Sequence, residues 1–236
     1  MATSDSSPAR GLRGFWSLWI TQFQGAFSDN VFKNLVIFLV LGLGLSTAQR
    51  DLLVPLIGAL FALPFILFSM TGGWLADRLS KRTVTIGTKL LELVVMTLGL
   101  VGLATDNIPL LLGGVFLMGA QSAFFGPSKY GLLPELLPEE RLSWGNGVLQ
   151  LGTYVAVITG TMLAGWLSDT FRGRQQVSAL LLIGLAGCGL VASLGITRVA
   201  AANPAKKFRL NLLAEDRKST RLNSSHSSVS RMPSSA

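Results

Sequence analysis

The side chains best able to do chemistry lie inside the first long apolar stretch of the chain. Asp29 and Lys33 are four residues apart, so a helix places them on one face, and Gln22 shares that face two turns earlier. A charged residue near the centre of a membrane helix costs about 2.5–3.5 kcal/mol to insert, so it normally faces a cavity or a partner. We therefore interpret four residues as the wall of a polar cavity that contacts a substrate headgroup or a coupling ion: Gln22, Asp29, Asn30 and Lys33. The alternative is a structural pair, in which Asp29 and Lys33 do no more than neutralise each other.

A second charged pair, Lys89 and Glu92, stands three residues apart in another apolar stretch. We predict a structural ion pair here, with the Lys89 ammonium reaching the membrane surface along its apolar stem. The sequence has one cysteine, Cys188, and one histidine, His226, and neither belongs to a nucleophile-and-base arrangement or a metal-ligand cluster. We therefore predict that the chain is not an enzyme, has no catalytic residue and holds no metal or cofactor.

Composition indicates which elements must position these residues. Hydrophobic residues make up 50% of the chain, charged residues make up 14%, and the mean hydropathy is +0.52. A water-soluble fold of 236 residues cannot bury that much apolar surface. A hydrocarbon core about 30 Å thick is crossed by about 20 helical residues. We predict an all-α membrane protein with six transmembrane helices, at residues 15–45, 52–71, 84–103, 108–125, 148–167 and 177–196.

Lysine and arginine are divided unevenly between the loops of the two membrane faces. One face receives only Arg50, Arg172 and Arg174. The other receives Arg10, Arg13, Arg78, Lys81, Arg82, Lys129, Arg141, Arg198, Lys206, Lys207 and Arg209. The face rich in basic residues is expected to be cytoplasmic, which puts the N-terminus inside the cell. Because this charge is spread over short loops and forms no clustered stripe, we predict no nucleic-acid partner.

Two segments that lie three spans apart share a pattern. Residues 73–82 read Gly-Trp-Leu-Ala-Asp-Arg-Leu-Ser-Lys-Arg, and residues 165–174 read Gly-Trp-Leu-Ser-Asp-Thr-Phe-Arg-Gly-Arg. One follows the second span and the other follows the fifth, so they face opposite sides of the membrane. This indicates two three-helix repeats of inverted topology. Chance likeness between short glycine-rich helix ends is the alternative.

The first of these segments resembles the signature loop between helices two and three of the major facilitator superfamily. That loop reads Gly-x-Leu-Ala-Asp-basic-x-Gly-basic-basic, and Ser80 stands where the family usually has glycine. The resemblance implies a secondary transporter, of which this chain is the N-terminal half. It also implies that the loop is a cytoplasmic latch whose aspartate pairs against the facing half. The latch residues would be Gly73, Asp77, Arg78, Lys81 and Arg82.

Two further stretches, residues 22–30 and 125–136, are similar to the bacterial lysophospholipid transporter family. This resemblance implies inward movement of lysophospholipids across the bacterial inner membrane by alternating access. The partners it implies are membrane lipids, the lysophospholipid substrate and a missing C-terminal half of six helices. It also makes Lys129 and Tyr130, where the fourth helix reaches the cytoplasmic surface, candidate contacts for an anionic headgroup. A lysine that only sets the topology is the alternative.

Other functions fit the same residues. One alternative is a major-facilitator efflux or solute transporter of different specificity. Another is the transporter module of a fused lysophospholipid acyltransferase, an arrangement that also occurs among the related transporters. A third is a purely structural membrane protein, although such a protein has little reason to keep a charge as deep as Asp29.

We divide the chain into four segments: a cytoplasmic tail at 1–13, a six-helix bundle at 14–197, a cytoplasmic linker at 198–215, and residues 216–236. The last segment is abruptly rich in serine and contains the only histidine. We interpret it as the translation of a sequencing adapter that is not native, and a disordered serine-rich linker is the alternative. On the first interpretation the natural protein continues into a second half, and this half does not transport alone.

Overall fold

The computed structural model describes residues 8–205, with side chains from residue 12 onward, and this part of the chain folds into six long α-helices. Their bounds are α1 Pro8–Gly42, α2 Thr47–Arg78, α3 Lys81–Ala104, α4 Ile108–Leu136, α5 Leu142–Thr170 and α6 Gln175–Leu194. All six are long and apolar enough to cross a membrane, which confirms the predicted all-α membrane fold. Most of the predicted linker and the whole of the predicted adapter segment lie outside the described residues.

The two ends of the bundle differ in charge and in how they are closed. The α2–α3 and α4–α5 connections meet the C-terminus of α6 at one end, where Arg82 of α3 donates to the backbone oxygens of Leu194 and Ile196. We call this the basic end, because it holds most of the basic residues between the helices. The end formed by the α1–α2, α3–α4 and α5–α6 connections is called the opposite end.

At the basic end five of the six helices continue beyond the predicted spans, whereas α6 ends at Leu194, two residues before its predicted end. α2 extends to Arg78, so Gly73 and Asp77 lie on its last turns, and only Leu79 and Ser80 connect it to α3. The predicted signature loop is therefore mostly helix. Hydropathy marks the apolar span but not the end of the helix, because polar residues at a membrane surface are solvated equally well on a helical turn.

Polar caps determine where three helices begin. Ser46 starts α2 with a reciprocal capping box: its side chain accepts from the backbone N–H of Gln49, whose side-chain oxygen accepts from the Ser46 N–H. Ser80 caps α3 by accepting from the Thr83 N–H at 3.1 Å, and Asn107 caps α4 in the same way. The serine that stands in place of glycine thus stabilises the start of α3.

The packing of the helices is repeated between the two halves of the bundle. α1 packs along α5 and α2 along α4, while α3 lies against α4 and α6, and α6 also lies against α1. Exchanging α1 with α4, α2 with α5 and α3 with α6 leaves this pattern unchanged. The fold therefore consists of two interlocked three-helix repeats, as the duplicated segments predict.

Apolar side chains fill the interior and also cover the outside of the bundle. Phe32 of α1 is fully buried in a core that includes Met96 of α3 and Met118 of α4. On the outside, Ile66 of α2 is 78% exposed and Met162 of α5 is 70% exposed. Such a surface requires a bilayer or another apolar protein face to cover it.

Candidate functional site

The carboxylate of Asp29 is held by α4. Asp29 is buried, and its two oxygens accept hydrogen bonds from the Ser122 hydroxyl at 2.5 Å and the Gln121 amide at 3.3 Å. These donors stabilise the ionised carboxylate and fix its position. Asp29 lies 13 residues beyond Trp16 on α1, a rise of about 20 Å, which places it deep within the bundle.

Lys33 does not form a direct ion pair with Asp29. Its ammonium donates to the Asn30 side-chain oxygen at 3.2 Å and lies 5.1 Å from the centre of the Phe61 ring on α2. The alternative interpretation, a structural pair between Asp29 and Lys33, is therefore not supported by a salt bridge. Spacing along the helix brings their backbones together, but Asp29 turns towards α4 and Lys33 towards α2.

Two amide side chains of α1 are hydrogen-bonded to α5. Gln22 donates to the Thr153 hydroxyl at 2.9 Å, and Asn34 donates to the Thr161 hydroxyl at 3.2 Å. The Asn30 amide donates to the backbone oxygen of Ala26, one turn earlier on α1, and its side-chain oxygen accepts from the Lys33 ammonium. The four predicted cavity residues thus lie on one helix, but their side chains point towards three neighbours: α2, α4 and α5.

A second polar cluster joins α1 to α3 and is more deeply buried than predicted. Lys89 is 1% exposed, and its ammonium donates to Glu92 at 2.7 Å and to Gln24 at 2.8 Å. The Gln24 amide in turn donates to Glu92 and to Ser28. The predicted ion pair is formed, whereas the predicted reach of Lys89 to the membrane surface is wrong. The ammonium has two acceptors inside the bundle, so it has a partner without reaching the headgroup layer.

Sequence reasoning missed Gln121 and Ser122, although a signal for them existed. The duplicated segments begin at Gly73 and Gly165, 92 positions apart. The same offset carries Asp29 onto Gln121, and the two side chains are hydrogen-bonded. Applying the repeat to the polar residues, and not only to the loops, would have identified this partner.

The latch residues at the basic end have partners inside this half. Lys81 forms an ion pair with Glu135 of α4, and Arg82 binds the last carbonyls of α6. The guanidinium of Arg78 lies 5.1 Å from the Trp74 ring centre. The backbone oxygen of Asp77 accepts from the Asn203 N–H at 2.8 Å. Lys81 and Arg82 therefore fasten α3 to α4 and α6.

Lys129 and Tyr130 lie on the last turns of α4. The Lys129 ammonium is 4.5 Å from the ring centre of Tyr130, which is 51% exposed. The pair presents a cation against an aromatic face beside the surface of the bundle, where lipid headgroups collect.

The arrangement suits binding more than bond breaking. A carboxylate with two donors and an ammonium with one acceptor lie within two turns of one helix, so the region can contact both charges of a zwitterionic molecule. Within residues 8–205 the structure has no group of three or more histidine, cysteine and acidic side chains that could hold a metal ion.

Comparison with known proteins shows the family and the fold. The family model of the Major Facilitator Superfamily matches residues 18–228. The chain is 30% identical to the lysophospholipid transporter LplT of Photorhabdus laumondii subsp. laumondii over 204 residues, which cover 86% of this chain and 48% of that protein. It is 30% identical to LplT of Salmonella paratyphi B over 202 residues, which cover 85% of this chain and 47% of that protein. The chain thus spans about half the length of the curated relatives that it matches.

Solved structures share the helical arrangement. A peptide transporter POT in complex with sulfate has a TM-score of 0.67 at 18% identity, with 92% of this chain and 44% of that chain covered. A POT family transporter in complex with 5-aminolevulinic acid has a TM-score of 0.64 at 20% identity, with 92% of this chain and 45% of that chain covered. At such low identity these structures show the fold alone.

Proposed function

Because the chain belongs to the Major Facilitator Superfamily, and so has a transport role and not a catalytic one, we propose that it forms the N-terminal half of a lysophospholipid transporter. Its membrane would be the inner membrane of a bacterium, with the basic end in the cytoplasm. The proposal draws its substrate from the relatives named as lysophospholipid transporters. The observation that carries it is the deep, donor-supported carboxylate of Asp29, one helical turn before Lys33 on α1.

The proposed substrate has a matching distribution of charge. A lysophospholipid headgroup carries a phosphate, which attracts the Lys33 ammonium, and an ammonium or hydroxyl groups, which attract the Asp29 carboxylate. The second half of the transporter would supply the facing wall of the site. Rocking of the two halves would expose this midplane site to one side of the membrane and then to the other.

The latch has a restricted part in this proposal. Lys81 and Arg82 already bind within their own half, so they would hold the α2–α3 connection rigid. We assign the contact with the facing half to Asp77, as the family resemblance implies, with Arg78 beside it on the last turn of α2; both also have partners within this half. Lys129 and Tyr130 would meet the headgroup when the site opens to the cytoplasm.

Uptake by the intact transporter, this chain together with its second half, tests the proposal. We expect spheroplasts to accumulate labelled lysophosphatidylethanolamine but not labelled glycerophosphoethanolamine, which has the same headgroup and no acyl chain. Asp29→Asn should reduce uptake by about tenfold to a hundredfold, because it removes the charge from one charge-assisted contact.

A matched control is Asp51→Asn, an exposed carboxylate at the start of α2. It should leave both uptake and membrane expression unchanged. Equal uptake by the Asp29→Asn variant would remove Asp29 from the mechanism. Absence of lysolipid uptake by the unmodified transporter, with efflux of a soluble drug in its place, would overturn the substrate assignment.

A further inference from the structure

A cavity of about 540 Å³ lies at the opposite end of the bundle, away from Asp29. It is enclosed by the C-terminal ends of α1, α3 and α5 and by the start of α6. From Asp29 to Gly42, which lines the cavity, α1 rises about 20 Å. The cavity is therefore separate from the polar site proposed above.

The rim of the cavity is polar and carries both signs of charge. Arg172 donates to Asp169 at 3.1 Å, and both side chains remain largely exposed. Asp106 stands across from them in the α3–α4 turn, with a left-handed backbone φ of 48°. Gln175 lines the same space; it is 8% exposed, and its side-chain oxygen accepts no hydrogen bond from the described residues.

One wall of the cavity is apolar. Phe38 and Leu39 of α1 and Leu103 of α3 form its inner wall. Phe38 is four residues from Gly42, so the wall reaches about 6 Å below the rim. The polar headgroup layer on each side of a bilayer is of this depth, so a bilayer whose surface meets the bundle at the rim would place the rim among the headgroups and the wall at the start of the hydrocarbon.

We propose that this cavity binds the headgroup and glycerol of a single-chain phospholipid from the leaflet at the opposite end, before the lipid reaches Asp29. The guanidinium of Arg172 would bind the phosphate, because its planar arrangement of N–H donors can form two parallel hydrogen bonds to phosphate oxygens. Asp106 would take the ammonium or hydroxyl of the headgroup, and Phe38, Leu39 and Leu103 would contact the first carbons of the chain. That the lipid moves from this cavity to Asp29 rests on the proposed function, whereas binding in the cavity does not.

Two features favour this ligand over a soluble molecule. A volume of about 300–1,000 Å³ is usual for small-molecule sites, and a headgroup with its glycerol needs only part of it. A soluble polar molecule would leave the apolar wall without a partner.

Photolabelling of the full chain in detergent tests the site directly. The probe is a photoactivatable lysophosphatidylethanolamine, and the readout is the labelled peptides. Gly42→Phe should fill the cavity, because a side chain built at Gly42 meets nothing within 4 Å. We expect about tenfold weaker labelling at the ends of α1 and α3.

Gly44→Phe is the matched control, since Gly44 is two residues away, is equally free of close contacts and does not line the cavity. A second pair compares Asp106→Asn, which tolerates the left-handed backbone, with Asp51→Asn at the same end. The Gly42 and Asp106 variants should weaken labelling, and the Gly44 and Asp51 variants should not. Equal labelling of the Gly42 and Gly44 variants would overturn the proposal.

Competition separates the sources of the headgroup. Unlabelled lysophosphatidylethanolamine should compete, whereas glycerophosphoethanolamine should not; equal competition by the latter would mean that the site takes a free phosphodiester and would overturn the lipid assignment. In the intact transporter, Gly42→Phe should raise KM for uptake with little change in kcat. Labelling that depends on Gly42 in a transporter that takes up no lysolipid would refute the proposed function and leave the binding site standing.

Discussion

At the scale of single residues, the charges buried between the helices away from the basic end of the bundle have partners in two separate places. Asp29 is bonded to α4, and Lys89 and Glu92 are bonded to each other and to Gln24. Only Lys89 and Glu92 form an ion pair, and the neutral amide of Gln24 is hydrogen-bonded to both of them. A closed cluster of that kind links α1 to α3, whereas the first place, at Asp29, leaves a carboxyl group that is bonded only to neutral side chains.

Lys89→Met tests the structural role of the second cluster. The substitution leaves the Glu92 carboxylate buried without its cation, which we expect to cost about 3–5 kcal/mol of unfolding free energy. Unfolding in mixed detergent and denaturant measures it. The double variant Lys89→Met with Glu92→Met removes both charges and should regain most of the loss. A double variant as unstable as the single one would contradict this account.

Which residues bear charge in the membrane was predictable, and so was the pair between Lys89 and Glu92, but the partners of Asp29 and Lys33 were not. Asp29, Lys33, Lys89 and Glu92 stand out because an ionised side chain is costly in lipid wherever its partner lies. Spacing along one helix then suggested a pair between Asp29 and Lys33. The partner is decided by which neighbouring helix each side chain faces, and this depends on packing that a single helix does not encode.

At the scale of elements, glycines set how closely the parallel helices α1 and α5 approach. A Cβ added at Gly160 would lie 2.8 Å from the backbone oxygen of Phe27, which cannot move aside. A Cβ added at Gly152 would lie 2.6 Å from the Trp19 ring nitrogen, which donates to Val148 at 3.1 Å. Close approach gives the dispersion contacts that hold helices together where lipid provides no hydrophobic drive.

Gly160→Leu should therefore separate α1 from α5. Overpacking of this kind costs about 1–3 kcal/mol, and it should lower the unfolding temperature in detergent. Gly184→Leu on α6 is the control, because an added side chain there meets nothing within 4 Å. If both variants unfolded at the same temperature, close packing at Gly160 would not be what holds the two helices.

Helix number was easier to predict than helix ends. Each span is defined by a run of apolar residues as long as the bilayer is thick, and the sequence shows six of them. α4, in contrast, continues to Leu136 through Pro127, well past the predicted end. A proline removes one backbone donor, but the neighbouring helices of a membrane bundle hold the chain helical across it.

At the scale of the whole molecule, the ends of the bundle have different chemistry and should face different compartments. Arg78, Lys81 and Arg82 lie at the basic end, and Arg172 and Arg174 at the opposite end, where the cavity opens. The uneven charge predicts a cytoplasmic basic end, since short loops rich in lysine and arginine are retained inside the cell.

Labelling with a membrane-impermeant maleimide tests this orientation. In a Cys188→Ser background, which removes the single cysteine, Thr105→Cys at the opposite end should react in intact spheroplasts. Glu139→Cys at the basic end should react only after the membrane is permeabilised. The reverse pattern of reactivity would show that the topology is inverted and that the cavity opens to the cytoplasm.

The hydrogen bond between Asp29 and Gln121 joins equivalent positions of the two repeats, 3.3 Å apart. Were the repeats identical in sequence, each residue here would meet its own copy. Two aspartates so close could not both ionise, and two glutamines would offer no charge at all. The difference between the two repeats at this position is therefore what allows a single carboxyl group with its own amide donor. A bundle with two identical repeats would have the same fold but would lack this pairing.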